Sequence, residues 1–315
     1  MGLSTERVVV LAGGTGGAKL ARGMLDVVGA ESLTVIANTG DDIEIYGAHV
    51  SPDPDLVSFW LADTIDDRGW GLRGDTFAVM DALRELGVEV WFNLGDRDLA
   101  WCLERARMLA AGLTPTAAIA HLNAAIGIRA RVLPMSDEPL RTWVRTPDAG
   151  WCGFQEFMIR RQAAGSIEGV EYRGAQRATP SPDVLAAIAG AGAIVIGPSN
   201  PIASIGPILA VAGLREALAA ADAPVVAVSP VVEGQVLKGP TDAFMAHAGL
   251  PCTGAGVAAF YGELLDGAVA DEPLTGLPAL RTATRMDDPA SRRRLAEQTL
   301  AFAGTLAPGR SRDAG

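Results

Sequence analysis

Four glycines lie within five residues near the start of the chain, between a short apolar run and a segment with helical spacing. They are Gly13, Gly14, Gly16 and Gly17, in the sequence VVVLAGGTGGAKL. Because glycine lacks a Cβ, its backbone N–H can approach an anion closely, and the N-terminus of a following helix adds positive partial charge. The spacing matches neither a Walker A loop nor a complete GxGxxG fingerprint. The segment predicts a phosphate or nucleotide site, with a ligand-free strand-to-helix turn as the alternative.

Two pairs of acidic residues follow the second apolar run of the chain. Asp41 and Asp42 end the segment NTGDD, and Asp53 and Asp55 come a dozen residues later in SPDPD. Mg²⁺ binds one or two carboxylates and completes its octahedral coordination with water and substrate phosphates. The two pairs therefore predict a Mg²⁺ site beside the phosphate site. Each aspartate alone has a structural alternative as a helix cap or a turn residue.

Three further loops carry side chains that can bind anions or the polar edge of a ring. Arg97 lies between two aspartates in LGDRD and can donate two parallel hydrogen bonds, with a surface ion pair as the alternative. Ser199 and Asn200 lie in GPSNPIASIGPIL, which has more glycine and proline than a connecting loop needs. Lys238, in KGPTD, can reach a phosphate oxygen. These residues predict further parts of the nucleotide site.

The histidines and cysteines lack the spacing of a metal site or a covalent nucleophile. No CxxC, HxH or HxxxH pattern and no Ser-His-Asp or Cys-His arrangement is present. This argues against a disulfide framework, against a zinc site and against acyl transfer through a covalent intermediate. We expect all three cysteines to be buried as small apolar side chains, namely Cys102, Cys152 and Cys252.

The composition is that of a soluble globular protein. The chain has 315 residues, of which 49 % are apolar, and a formal net charge of −11. Because duplex binding needs a basic face, this charge argues against nucleic acid as a partner. The sequence has no run of about 18 apolar residues and no secretion signal. We therefore expect a cytoplasmic protein without a membrane contact.

The elements that position these residues begin with a strand, a helix and a strand. Residues 7–11 have the pattern of a buried strand, residues 18–28 that of an amphipathic helix, and residues 33–37 that of a second strand. Parallel strands joined by helices form a doubly wound sheet, and ligands bind at the carboxyl ends of its strands. The fold class is therefore α/β, Rossmann-like, with a mostly parallel sheet.

The rest of the chain divides into three parts. Residues 1–113 form the first half of the Rossmann-like domain, residues 114–180 an inserted helix-rich subdomain, and residues 181–306 the second half, before a tail at 307–315. Further elements are expected along the chain: helices at 75–86 and 99–111 with a strand end near 91–94 between them, a helix at 115–125, strands at 129–133, 140–144, 193–196 and 224–228, and a helix at 208–220.

Taken together, the motifs resemble those of the 2-phospho-L-lactate transferase family, which makes the deazaflavin coenzyme F-420. The resemblance runs from about residue 7 to about residue 267. It rests on GGTGGAKL, NTGDD, SPDPDL, the segment from Trp70 to Phe77, LGDRD, FQEFMIRR, GPSNPIASIGPIL and SPVVEGQVLKGPTD. It implies an enzyme, a phosphotransferase that moves a phospho-acid from a guanosine diphosphate-linked donor to the deazaflavin Fo and releases GMP. The acid is 2-phospho-L-lactate or its enolpyruvyl or glyceryl counterpart.

The resemblance also implies roles for the candidate residues. Asp55 and Arg97 would contact Fo, Asp53 and Asp55 would be catalytic, and Mg²⁺ would be the cofactor. The metal ligands would come from Asp41, Asp42 and Asp55. The guanosine phosphates would be held by Gly13, Gly14, Thr15, Gly16, Gly17, Lys19, Ser199, Asn200 and Lys238. The family further implies a homodimer.

Two other functions compete with this one. The related gluconeogenesis-factor proteins share a GGTG loop and an acidic DD segment, and they are nucleotide-sugar-binding regulators. The deazaflavin motifs SPDPDL and LGDRD favour the transferase. An NAD(P) oxidoreductase is disfavoured because Asn38, Thr39 and Gly40 stand where a dinucleotide-binding fold needs an acid for the ribose.

Overall fold

The first three elements form the strand–helix–strand unit that the sequence predicts. The computed structural model describes residues 7–237 and 239–306. Strand β1 (Val8–Ala12) leads into helix α1 (Gly14–Val28), and β2 (Leu33–Ala37) follows. All five side chains of β1 are buried, as in a strand covered on both faces.

The other elements complete an α/β architecture. The remaining strands are β3 (Ile43–Ile45), β4 (Ala48–Val50), β5 (Arg131–Pro134), β6 (Arg141–Thr146), β7 (Gly150–Gly153), β8 (Gly169–Arg173), β9 (Ala193–Ile196), β10 (Val225–Val228), β11 (Val231–Val232), β12 (Gln235–Val236), β13 (Gly267–Ala270) and β14 (Ala279–Arg281). The remaining helices are α2 (Pro52–Leu61), α3 (Ala78–Glu85), α4 (Asp96–Ala110), α5 (Pro115–Ala125), α6 (Pro182–Ala189), α7 (Gly206–Ala210), α8 (Leu214–Ala219), α9 (Thr241–His247), α10 (Gly254–Tyr261) and α11 (Pro289–Ala303). Two π-helical turns lie at Glu156–Arg160 and Pro201–Ile205, and 3₁₀ turns at Ala30–Ser32 and Gly262–Leu264.

Seven parallel strands form the central sheet, which confirms the predicted fold class. Their order is β14-β13-β10-β9-β1-β2-β5. In the centre, Val10 of β1 pairs with Val35 of β2 on one side and with Val195 of β9 on the other. The chain builds outward from β1 through β2 to β5 and later outward from β9. The strand order therefore reverses between β1 and β9, where doubly wound sheets bind their ligands.

Helices cover both faces of this sheet. Alternate side chains of β1 enter two different apolar clusters, because successive strand residues point to opposite faces. Val8 and Val10 pack with α1, α2 and α11, whereas Val9 and Leu11 pack with α6, α8 and α10. The sheet is thus the middle layer of three. None of the helices in the described residues is both long and apolar enough to cross a bilayer.

The middle of the chain contributes to two sheets. Strand β5 lies within the range 114–180, which the sequence marks as an insertion, yet it pairs in parallel with β2 of the central sheet. Strands β6, β7 and β8, from the same range, form a separate antiparallel sheet in the order β7-β6-β8. Outside the central sheet, this range therefore contains helix α5, a π-helical turn and a three-stranded antiparallel sheet.

Three local expectations differ from the structure. No strand forms at 91–94, because the Phe92 N–H donates to the Tyr46 hydroxyl (3.2 Å) instead of to a neighbouring strand. The helix expected at 208–220 is two helices, α7 and α8, which are separated by Gly213 with φ = 84°. Cys102 and Cys152 are buried as expected, but Cys252 is only partly buried.

Candidate active site

A cleft of about 1110 Å³ opens at the carboxyl ends of β1, β9 and β10. Its walls include the glycine turn, the start of α2, the loop after β9, the loop after β10 and the segment that leads into α11. The lining includes Gly13, Gly14, Thr15, Gly16, Lys19, Asp53, Ser199, Asn200 and Ser204. The structure thus brings together most of the residues that the sequence assigned to nucleotide binding.

The glycines of the turn are crowded by protein atoms. A Cβ on Gly16 would lie 1.9 Å from the Pro198 carbonyl oxygen, and one on Gly17 would lie 2.6 Å from the Ser199 Oγ. A Cβ on Gly13 would lie 2.7 Å from an Asp53 carboxylate oxygen. Gly14 has φ = +62°, which disfavours any other residue. These four glycines therefore allow the turn after β1 to pack against the loop after β9 and the start of α2.

Asp53 lies at the N-terminus of α1, where the sequence predicts a phosphate. The Gly14 N–H donates to its Oδ1 (2.5 Å), and the Asn38 Nδ2 donates to its Oδ2 (2.8 Å). The same Asn38 nitrogen lies 3.4 Å from Asp41 Oδ1. Asn38 therefore connects two buried carboxylates, one from each acidic pair.

Both of these carboxylates are poorly stabilised as anions. Burial raises the pKa of Asp53 to about 6, against the opposing effect of hydrogen bonds from Asn38 and Gly14. Burial and the negative charges of Asp53 and Asp42 raise the pKa of Asp41 well above its usual range. Gln155 donates to Asp41 Oδ2 (3.1 Å) but brings no positive charge. Asp53, which lines the cleft, and Asp41, which lines the neighbouring pocket on the other side of Gln155, therefore both favour a proton or a cation. We call this pair of carboxylates the acidic corner.

Asp42, the neighbour of Asp41, has partners of its own. It accepts a hydrogen bond from Ser51 Oγ (2.7 Å), and its other oxygen lies 3.2 Å from His49 Nε2. Although burial opposes protonation of His49, the hydrogen bond and charge of Asp42 raise the pKa of this histidine. The Arg141 Nη1 lies 3.9 Å from Asp42 Oδ2. Asp42 is thus bound into a local network beside the Asp41–Asp53 pair.

Asp55 faces away from the cleft, and α4 supplies its partners. The Arg105 guanidinium forms two hydrogen bonds with the Asp55 carboxylate, and the Trp101 Nε1 donates a third (2.8 Å). Arg105 is only 2 % exposed, and although burial opposes its charge, Asp55 raises the pKa of this arginine. The contacts give Asp55 a role in joining α2 to α4. The catalytic, metal-binding and Fo-binding roles that the resemblance implies for it stay predictions.

A third acidic residue adjoins this ion pair. Oxygens of Asp55 and Asp98 and the Cys102 Sγ lie within 4.8 Å of one another, close enough to share an ion. Burial and the charge of Asp55 raise the pKa of Asp98 to about 7, and the same causes raise the pKa of the Cys102 thiol. Because Arg105 already supplies a positive charge here and the thiol stays protonated, this trio is poorly suited to a divalent cation.

The LGDRD segment begins α4 and has a structural function. Asp75 accepts hydrogen bonds from the backbone N–H groups of Arg97 (3.0 Å) and Asp98 (3.0 Å) and so caps α4. In return, Asp96 accepts hydrogen bonds from the N–H groups at the start of α3. The Arg97 side chain is exposed, its Nη1 lies 3.5 Å from the Arg73 carbonyl oxygen, and it does not line the cleft. Its contact with Fo stays a prediction.

The remaining predicted residues hold the loops in place. Ser199 Oγ accepts a hydrogen bond from the Gly13 N–H (3.2 Å). Asn200 Oδ1 accepts two, from Ile202 and Ala203, and so caps the turn at Pro201–Ile205. Lys19 donates to the Met286 carbonyl oxygen (3.0 Å) at the far end of the cleft. Lys238 lies outside the described residues, as does the tail at 307–315.

Several lining residues were missed by the sequence reasoning. Gln155 lies in a motif that supported the resemblance, but no role was assigned to it. Trp60 and Arg292 lie within regular helices, so their spacing gives no sign of a site. Arg68 and Arg285 lie in loops that contain no recognised motif. A search for basic residues in loops next to strand ends would have found Arg285, which follows β14, but not Arg68, which lies between α2 and α3.

Comparison with known proteins decides the family. The sequence-family model described as "2-phospho-L-lactate transferase CofD" matches residues 8–289 of this chain. A phosphoenolpyruvate transferase from Kitasatospora aureofaciens is 44 % identical over 276 residues, covering 84 % of this chain and 85 % of the relative. The chain belongs to the 2-phospho-L-lactate transferase family. A 2-phospho-L-lactate transferase from Methanosarcina mazei is 40 % identical over 266 residues, covering 84 % and 87 %.

Membership in the 2-phospho-L-lactate transferase family confirms the resemblance drawn from the motifs. The protein is a phosphotransferase of coenzyme F-420 biosynthesis. The crystal structure of a UPF0052-family protein from Bacillus halodurans has a TM-score of 0.64 at 18 % identity, covering 94 % of this chain and 99 % of that one. At this identity the likeness shows a shared fold and nothing further.

Proposed function

We propose that the protein transfers a phospho-acid from a guanosine diphosphate-linked donor to the ribityl hydroxyl of Fo. The hydroxyl oxygen attacks the phosphorus nearest the organic acid. The bond between that phosphorus and the oxygen shared with GMP breaks, GMP leaves, and the hydroxyl gives up its proton. The candidate donors are the lactyl, enolpyruvyl and glyceryl compounds.

One observation carries this proposal. In a chain of this family, the buried Asp53 carboxylate, which has no cationic partner among the described residues, lies at the N-terminus of α1 in the same cleft as the glycine turn. The N–H groups of Thr15 and Gly16 are in the first helical turn, where backbone donors have no partner within the helix. Helix N-termini of this kind bind phosphates. The combination suits a phosphorylated substrate that must approach an acidic residue.

The residues present fit a divalent cation at the acidic corner. A phosphate beside Asp53 would be repelled by that carboxylate, and the raised pKa of both Asp53 and Asp41 shows that negative charge here lacks compensation. Asp41 and Asp53 would hold Mg²⁺, which suits carboxylate ligands. When bound, Mg²⁺ would neutralise charge on the phosphoryl oxygens and make the phosphorus more electrophilic.

The protein's own groups would position the two substrates. The amides of Thr15 and Gly16 would bind donor phosphate oxygens, and Asn38 would keep the Asp41 and Asp53 carboxylates in place through its Nδ2. Positioning the hydroxyl in line with the leaving oxygen supplies much of the rate increase in phosphoryl transfer, which does not require a strong base.

The decisive experiment combines purified protein, Fo, Mg²⁺ and each candidate donor, with mass spectrometry of the products. We expect one donor to give an Fo derivative that has gained the phospho-acid, together with an equal amount of GMP. Addition of EDTA should stop the reaction. If no donor yields a modified Fo, or if Fo is modified without release of GMP, the proposal is wrong.

A further inference from the structure

One wall of the cleft contains a buried arginine and a buried tryptophan. Arg292, in α11, is 7 % exposed, and Trp60, near the end of α2, is 8 % exposed; both line the cleft. The guanidinium carbon of Arg292 lies 5.1 Å from the centre of the Trp60 ring. Trp60 comes seven residues after Asp53, about 10 Å along the helix axis. This wall is therefore separate from the acidic corner.

Two hydrogen-bond donors in this wall have no acceptor. Throughout residues 7–237 and 239–306, the buried Nε of Arg292 and the buried Nε1 of Trp60 lack a partner. A buried donor without an acceptor raises the free energy of the folded protein, and a buried cation without an anion raises it further. Donors of this kind in the wall of a cleft indicate a ligand that supplies anionic oxygens.

The position of Arg292 is fixed by backbone packing. A Cβ on Gly23 of α1 would lie 2.5 Å from the Arg292 carbonyl oxygen, so only glycine lets α11 lie this close to α1. Asp288 and Ser291 cap the start of α11 with reciprocal hydrogen bonds. The backbone that carries Arg292 is thus fixed beside the cleft.

A second cation lies near Arg292 in this wall. Lys19 lies 5.8 Å from the centre of the Trp60 ring and adds a second cation. The Asp287 carboxylate, which also lines the cleft, accepts a hydrogen bond from Arg285 Nε (2.6 Å). The Asp288 carboxylate accepts one from the Ser291 N–H (2.7 Å). Neither acid forms an ion pair with Arg292.

We infer that Arg292, together with Lys19, binds a phosphate or carboxylate group of a ligand in the cleft. Lys19 is three residues beyond Gly16, which is about 4.5 Å along the axis of α1. One ligand with two anionic groups can therefore span the glycine turn and this wall. The inference rests on the proposed function, because the proposed donor carries two phosphates and a carboxylate.

Calorimetric titration with defined anions tests this inference. Arg292→Met should weaken binding of the relevant ligand at least 10-fold, and Arg292→Lys should weaken it less. The probes are GDP, GMP, pyrophosphate and phosphoenolpyruvate. If the variant loses affinity for GDP and pyrophosphate but not for GMP, the anionic group that Arg292 binds is the second phosphate. A loss confined to phosphoenolpyruvate would assign it to the carboxylate.

A neighbouring arginine provides the matched control. Arg293, which pairs with Glu297 on the exposed side of α11, should tolerate change to Met with less than a 2-fold effect on every probe. The melting temperature of ligand-free Arg292→Met should equal or exceed that of the wild type, because a buried donor without an acceptor is removed. A lower melting temperature with unchanged affinities would show that Arg292 is structural, and the inference would be overturned.

The probes also separate this inference from the proposed function. If the wild type binds pyrophosphate in an Arg292-dependent manner but does not bind GDP, the guanosine donor is wrong and the anion site stands. If the wild type and Arg292→Met bind GDP and all other probes equally, the anion site is wrong and the transferase proposal is unaffected.

Discussion

Asp53 and Asp55 are two residues apart on α2, but they lie in opposite electrostatic environments. Residues at this spacing point to opposite sides of a helix. Asp53 faces the cleft and has backbone and amide donors but no cation. Asp55 faces α4, where Arg105 neutralises it. The comparison indicates that a carboxylate is better suited to binding a ligand when no protein cation neutralises its charge.

The largest effect of a substitution is expected at the ion pair of Asp55 with Arg105, where it should lower stability. Asp55→Ala would leave a buried guanidinium without its anion, so we expect a loss of about 3–5 kcal/mol in unfolding free energy, measured by urea denaturation. Replacing both partners, as Asp55→Leu with Arg105→Met, should recover much of this loss. If Asp55→Ala abolishes transfer while stability is unchanged, Asp55 belongs to the catalytic site and our comparison fails.

On the cleft side, the same kind of change should affect catalysis instead of stability. Asp53→Asn keeps an acceptor for the Gly14 N–H but removes the charge proposed to hold the cation, so transfer should slow by about 100-fold or more. Mg²⁺ titration of activity measures the lost affinity. Asp183→Asn, on the exposed surface beside Arg131, is the control and should keep full activity. Normal turnover by Asp53→Asn would show that the acidic corner does not take part in catalysis.

A smaller effect, dependent on pH, is expected at Asp98. Its pKa is about 7 in the folded protein against 3.8 ordinarily. Between pH 4 and pH 7 the folded state therefore holds a proton that the unfolded state has released, and stability falls as pH rises across this interval. Asp98→Asn resembles the protonated form, so it should stabilise the protein by about 2 kcal/mol at pH 8 and have little effect at pH 4. Denaturation at both pH values checks this, and an equal effect at both would refute it.

The smallest effect is expected where α4 begins. Asp75→Ala removes the acceptor for two backbone N–H groups and should lower the unfolding free energy by about 1 kcal/mol. Asp81→Ala, which breaks only an exposed pair with Arg84, is the matched control and should change it by less than about 0.5 kcal/mol. Both variants should bind GDP like the wild type. A loss of GDP binding on Asp75→Ala would mean that α4 supports the cleft as well as the Asp55 ion pair.

The sequence was informative wherever periodicity and topology decide the structure. Buried valine-rich strands with helices between them predict a parallel sheet, and ligands gather at its carboxyl ends, so the glycine turn, Asp53 and Ser199 could be placed near one another. The hydrogen-bond and ion-pair partners of individual side chains could not be predicted in this way. Nothing in SPDPD shows that one aspartate meets Gly14 and the other meets Arg105, because both contacts depend on how α2 packs against distant segments.

The contact between Gly16 and Pro198 has a mechanical consequence. The turn after β1 and the loop after β9 touch without room for a methyl group, so neither backbone can move closer to the other. The Gly13 N–H also donates to Ser199 Oγ, so close packing and a hydrogen bond join these two walls of the cleft, and a substitution in either segment should disturb both.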